Sequence, residues 1–124
     1  GVRDQTNAAA IQTAVPDSVN AVGRLSWTAL GAALQHAETV YCVETSIGHY
    51  ARALSRPVVS IVGGMADPVR WSPLGAAIAT EPYPCSPCFL KSGCADRPCL
   101  TALRVESVCL VAASMKEVSE SWRH

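Results

Sequence analysis

Between Glu44 and His49 the chain sets a carboxylate, two hydroxyls, a glycine and an imidazole within six consecutive positions, Glu44-Thr45-Ser46-Ile47-Gly48-His49. An apolar run that reads as a strand precedes them, and an alanine-containing segment that reads as a helix follows. A strand that stops at a carboxylate and turns at Gly48 into a helix leaves unpaired backbone N–H groups and a partial positive charge facing solvent. Phosphate binds readily to such an edge. The same residues also suit a plain capped turn, in which the polar side chains satisfy the orphan donors. His49 gains weight only from its company, because a lone histidine titrates near neutral pH without needing a function.

A second cluster, Cys85-x2-Cys88-x5-Cys94-x4-Cys99, has the number of thiolates that a tetrahedral zinc takes. Its first pair has knuckle spacing and its second pair is wider than usual, so a loop of packed or partly oxidised thiols fits as well, with Cys85 and Cys99 able to join after purification. Cys42 and Cys109 sit in apolar segments, where a cysteine acts as a small hydrophobe, and they are assigned no chemistry. Arg70 and Trp71 could pair with a phosphate and stack on a sugar, although a loop tryptophan more often anchors its loop to the core. Met65 and Asp67 are assigned no catalytic role, and Asp67 before Pro68 starts a turn.

The elements that must position these residues follow from pattern. Thr6 to Val15 is an alanine-rich helix stopped by Pro16-Asp17. Val19 to Val22 reads as a brief strand ending at Gly23, and Ser26 caps a second helix that ends near His36. Val40 to Val43 is β-branched and aromatic without polar alternation, as expected of a strand covered on both faces. A short helix spans Gly48 to Leu54, and Arg56-Pro57 breaks it before the buried strand Val58 to Val62, which Gly63-Gly64 ends. Met65 to Gly75 reads as a structured loop and Ala76 to Thr80 as a last short strand, followed by a cysteine- and proline-rich loop over 81–100. A final helix starts near Val105, with Val105, Val108, Ala112, Met115 and Val118 on one face, and frays into Trp122-Arg123-His124. Strands alternating with helices predict an α/β fold with a parallel sheet, and ligands at the strand ends where Gly23, Glu44 and Gly63 lie.

Composition narrows the function classes. The 124 residues, 49% of them hydrophobic, suffice for a single domain over 1–124 but not for two full nucleotide-binding folds. Lys+Arg and Asp+Glu balance at ten each, so there is no basic field to hold nucleic acid. No apolar run approaches the roughly 20 residues of a membrane span, and the N-terminus lacks the order of a secretory signal. The expected location is cytoplasmic, with reduced thiols.

Gly23-Arg24-Leu25-Ser26, Glu44 to His49, Pro57-Val58-Val59-Ser60-Ile61-Val62-Gly63, Asp67-Pro68 with Trp71 and Pro73, and the spaced cysteines to Cys99-Leu100 together resemble glycosyltransferase family nine, the ADP-heptose:lipopolysaccharide heptosyltransferases. The resemblance covers roughly residues 16 to 112, and similar cysteines recur in the family's loop. It implies a truncated Rossmann-like parallel sheet with flanking helices, part of the C-terminal, nucleotide-diphosphate-sugar-binding domain of a GT-B enzyme. Carried over, Thr45 and Ser46 with the N–H groups around them, Gly48 included, would face the diphosphate, with His49 beside them. The backbone near Arg24 and Leu25 would line the adenine. Glu44 stands where the family has aspartate, and Ser46 where glycine is common. The β-carbon at 46 would restrict positive φ. The family's catalytic base lies in an N-terminal domain, so no catalytic residue is assigned to this chain.

The resemblance also implies that two family strands are missing between Val19–Val22 and Val40–Val43. Either those strands pair directly or an exposed edge recruits a second copy, and a homo-oligomer is expected. Three functions compete: an ADP-sugar-binding half of a glycosyltransferase, inactive alone; an oligomeric or adaptor module with a vestigial site and no nucleotide binding; and a small zinc-stabilised module built on Cys85, Cys88, Cys94 and Cys99. The expectation taken forward is the first, with no resident cofactor or metal and no nucleic acid partner.

Overall fold

A computed structural model describes residues 4–89 and 94–121, with side chains to Met115. Backbone contacts gather into two compact units, residues 1–33 and 34–124. Among the described residues no helix is long and apolar enough to cross a membrane.

In the first unit, helix α1 (Gln5–Ala14) buries none of its residues. It is tied to the segment that follows by side-chain amides: Gln5 Nε2 donates to the Val22 carbonyl at 2.8 Å and Gln12 Nε2 to that of Ser18 at 3.3 Å. The expected strand at Val19–Val22 does not form. Asn20 Oδ1 accepts from the Val22 N–H at 3.1 Å, the Ala21 carbonyl accepts from the Arg24 N–H at 3.1 Å, and Gly23 adopts φ 70°. A side chain that hydrogen-bonds its own backbone offers the segment a turn in place of a ladder. Helix α2 (Trp27–His36) then starts where expected, its first turn capped by Ser26 Oγ accepting from the Ala29 N–H at 3.1 Å.

The second unit holds a three-stranded parallel sheet in the order β1-β2-β3, made of β1 (Val40–Val43), β2 (Val58–Ile61) and β3 (Ala77–Ala79). Val40 aligns with Val58, and Val59 with Ala77. The central strand carries the apolar run, and its Val58, Val59 and Ser60 are fully buried. Helix α3 (Ser46–Ala53) packs on β1 and β2, and α6 (Val105–Ser121) on β2 and β3. Val59, Ala79 and Ala112 form the core beneath α6, flanked by Ile61, Val108, Val111 and Met115. Val105, expected on that face, is 74% exposed, while Val118 and the 122–124 tail lie outside the described side chains.

Two further expectations change. β1 is not covered on both faces: Tyr41 and Val43 remain 55% and 54% exposed, because α6 lies over β2 and β3. Nor does Gly23 end a strand, so the rim is formed after β1 at Glu44 and after β2 at Val62 and Gly63, with β3 beside them. Inside the 65–75 loop a helical turn, α4 (Pro68–Trp71), forms because Asp67 caps it and proline occupies its first turn. A similar short piece, α5 (Pro98–Thr101), follows the cysteine-rich segment.

Candidate functional site

β1 delivers Val43 and Glu44 to the rim. Thr45 follows in extended conformation as the residue before α3, and its side chain makes no cap hydrogen bond. Capping by the Thr45 hydroxyl, the plainest reading of this turn, is therefore not what the structure shows. Ser46 enters the helix directly and is absent from the positive-φ residues, so the restriction its β-carbon places on positive φ does not come into play. The first N–H groups of any α-helix lack intrahelical acceptors and carry the positive end of its dipole.

Glycine at 48 sets how closely α3 approaches the sheet. A β-carbon there would stand 2.7 Å from Cys42 Sγ and 2.9 Å from Pro73 Cγ. The half-buried Cys42 lies beneath the helix, and desolvation raises its thiol pKa above the ordinary value. Farther along α3, His49 Nε2 lies 3.2 Å from the Trp71 carbonyl and Arg52 Nε donates to the Leu74 carbonyl at 3.0 Å. The helix and the 71–74 segment are thus joined at two points. Arg52 also donates from Nη1 to the Arg56 carbonyl at 3.0 Å.

A strap from the cysteine-rich segment completes the surround. Cys88 N–H donates to the Gly64 carbonyl at 2.8 Å and Phe89 N–H to the Met65 carbonyl at 2.9 Å. Gly64 has no room for a side chain, since a β-carbon would run into Ser86 Oγ and lie 3.1 Å from Cys99 Cβ.

These pieces enclose an open cavity of about 660 Å³, a volume typical of small-molecule sites. Glu44, Thr45, Ser46 and His49 line it beside Val43. Opposite segments contribute Met65, Ala66, Trp71 and Phe89. Of the residues expected from sequence, these four come together, Gly48 lies buried beneath them, and the exposed Arg24 and Leu25 belong to the first unit. Trp71 is 62% exposed and is no core anchor, contrary to the plainer expectation for it. Arg70 does not line the cavity and faces Asp67 Oδ2 at 3.7 Å, a solvent-exposed pair that contributes little. Asp67 itself is an N-cap, accepting from the Val69 N–H at 2.9 Å.

Phe89 is the aromatic lining residue that sequence reasoning missed, as it missed Ala66. Nothing in the chain around Phe89 marks it, because its position depends on the strap. The cysteine quartet is not gathered: Cys85 and Cys94 are exposed and Cys88 and Cys99 half-buried, all as free thiols. Among the described residues no group of three or more His, Cys, Asp or Glu is placed to hold a metal ion. Cys109 is exposed on α6 and does not act as a core hydrophobe.

The sequence profile of glycosyltransferase family 9 (heptosyltransferase) matches residues 2–97. The chain belongs to glycosyltransferase family 9. No curated protein and no solved structure matches it. The family 9 span contains all three strands, α3, α4 and every cavity residue, and ends before α5 and α6.

Proposed function

We propose that this family 9 module binds a nucleotide-diphosphate sugar of the ADP-heptose kind, supplies the donor-binding half of a glycosyltransferase, and is inactive alone. The observation that carries the reading is the meeting of Thr45 and Ser46 at the start of α3 with Glu44 and His49 in one cavity. Backbone N–H groups and hydroxyls at a helix start suit a diphosphate. No group of this chain is given the role of catalytic base.

Thermal unfolding with millimolar ADP tests the reading. A ligand present at 100 times its dissociation constant stabilises the folded state by about 2.7 kcal/mol. The melting temperature should rise, and the rise should vanish in Thr45→Val and His49→Ala. No rise in the unsubstituted chain would sink the proposal.

A second reading, an oligomeric module with a vestigial site, draws on the edge of the sheet. Among the described strands β1 pairs with β2 alone, and it leaves Tyr41 and Val43 more than half exposed.

A further inference from the structure

Two aromatic rings of the cavity wall remain unexplained by phosphate binding. Trp71 and Phe89 are each 62% exposed, yet both face the same concavity from segments far apart in the chain. Phe89 holds φ 51°, a left-handed conformation that a bulky residue rarely adopts. The two strap hydrogen bonds, Cys88 N–H to the Gly64 carbonyl and Phe89 N–H to the Met65 carbonyl, fix it there. The Trp71 backbone is held in turn through its carbonyl by His49 Nε2. Aromatic surface kept in water at fixed positions around a cavity is surface ready for a ligand ring.

The charge of the wall narrows which ring. The lining residues include one carboxylate, Glu44, and no lysine or arginine among those described. A phosphate placed against the aromatic side would meet no cation. A sugar ring has apolar C–H faces that pack on aromatic rings and an equator of hydroxyls that donate to a carboxylate. The first N–H groups of α3 offer the phosphates the donors that the rings do not, so the phosphates belong at the start of α3 and the sugar beside the rings.

We infer that Trp71 and Phe89 form a stacking platform for the sugar of the bound nucleotide sugar, with Glu44 accepting from its hydroxyls. This rests on the nucleotide-sugar reading above and adds to it a division of the cavity. The platform discriminates a nucleotide whose diphosphate bears a second sugar from the nucleoside diphosphate alone.

Calorimetric titration of the full 124-residue chain with ADP and with ADP-glucose separates the two claims. The unsubstituted chain should bind ADP-glucose more tightly than ADP. Trp71→Ala and Phe89→Ala should each weaken ADP-glucose about fivefold while leaving ADP within about twofold, and Phe89→Tyr should retain the affinity. Both rings are largely in solvent, so circular dichroism melts of the variants should match the parent; Trp71→Phe gives a second, milder substitution at that position. If ADP binds but the alanine variants lose no ADP-glucose affinity, or lose ADP affinity equally, the platform is overturned and the diphosphate site stands. If the unsubstituted chain binds neither ligand, the nucleotide-sugar reading has failed and the platform with it.

Discussion

Gly48 shows how one hydrogen atom in place of a side chain governs the site. In a helix interior alanine is favoured over glycine by about 1 kcal/mol, yet here a β-carbon would meet Cys42 Sγ at 2.7 Å and Pro73 Cγ at 2.9 Å. Neither neighbour is the free end of a long chain, so α3 must lift. Gly48→Ala should therefore destabilise the chain by about 1–2 kcal/mol in urea unfolding, and Cys42→Ala should recover part of that loss in the double variant. An unchanged midpoint would show that close packing of α3 on Cys42 and Pro73 does not require glycine at 48. Cys42 carries its own prediction. Desolvation raises its pKa above 9.0, so the folded state holds the proton more tightly than the unfolded chain. The stability linked to that proton is fully present below the ordinary thiol pKa and is lost as pH rises through the elevated one. Under iodoacetamide at pH 8, Cys42 should be alkylated after the exposed Cys85, Cys94 and Cys109, as read by peptide mass spectrometry. At this scale Glu44, Thr45, Ser46 and His49 were legible because one local run of sequence places them together. Phe89 was not, because a backbone hydrogen bond to a residue distant in sequence brings it to the cavity.

At the scale of elements, the strands with uninterrupted β-branched character are where pattern put them, as are the capped α2 and the apolar stripe of α6 through Val108, Ala112 and Met115. The failure at Val19–Val22 has a local cause: Asn20 turns the backbone with its own side chain, and Val19 ends 88% exposed. The 65–75 loop hid a helical turn because four residues are too few for periodicity, although Asp67-Pro68 is a helix-start signal. The strap is the element whose removal tests the cavity most directly. Gly64→Ala puts a β-carbon into Ser86 and against Cys99. The strap should loosen, and hydrogen exchange at the Cys88 and Phe89 amides should speed up by an order of magnitude or more, while β2 amides stay protected. Equal exchange in parent and variant would mean that the strap is held by something other than these contacts.

For the whole molecule, β1 matters most, because among the described strands it pairs on one side only. A sheet edge with exposed apolar side chains invites pairing with another chain, and Tyr41 and Val43 stand beside it. Light scattering should find a dimer or larger assembly at high concentration, and Tyr41→Lys should shift it towards monomer. A monodisperse monomer at every concentration would remove the self-association proposal and with it the adaptor reading. The α/β class and the parallel sheet were legible because apolar strand runs alternate with helices. The uncovered face of β1 was not, because coverage depends on where α6 crosses the sheet, and no single strand's sequence records that.

The double tie between α3 and the 71–74 segment sets the tempo of the site. His49 and Arg52, one turn apart, reach the Trp71 and Leu74 carbonyls, so the floor and one wall are tied to each other at two points. A ligand entering such a preformed cleft meets no closing step on that side. If the cleft takes the proposed ligand, capture is limited by diffusion and orientation, and differences in affinity among ligands are differences in residence time.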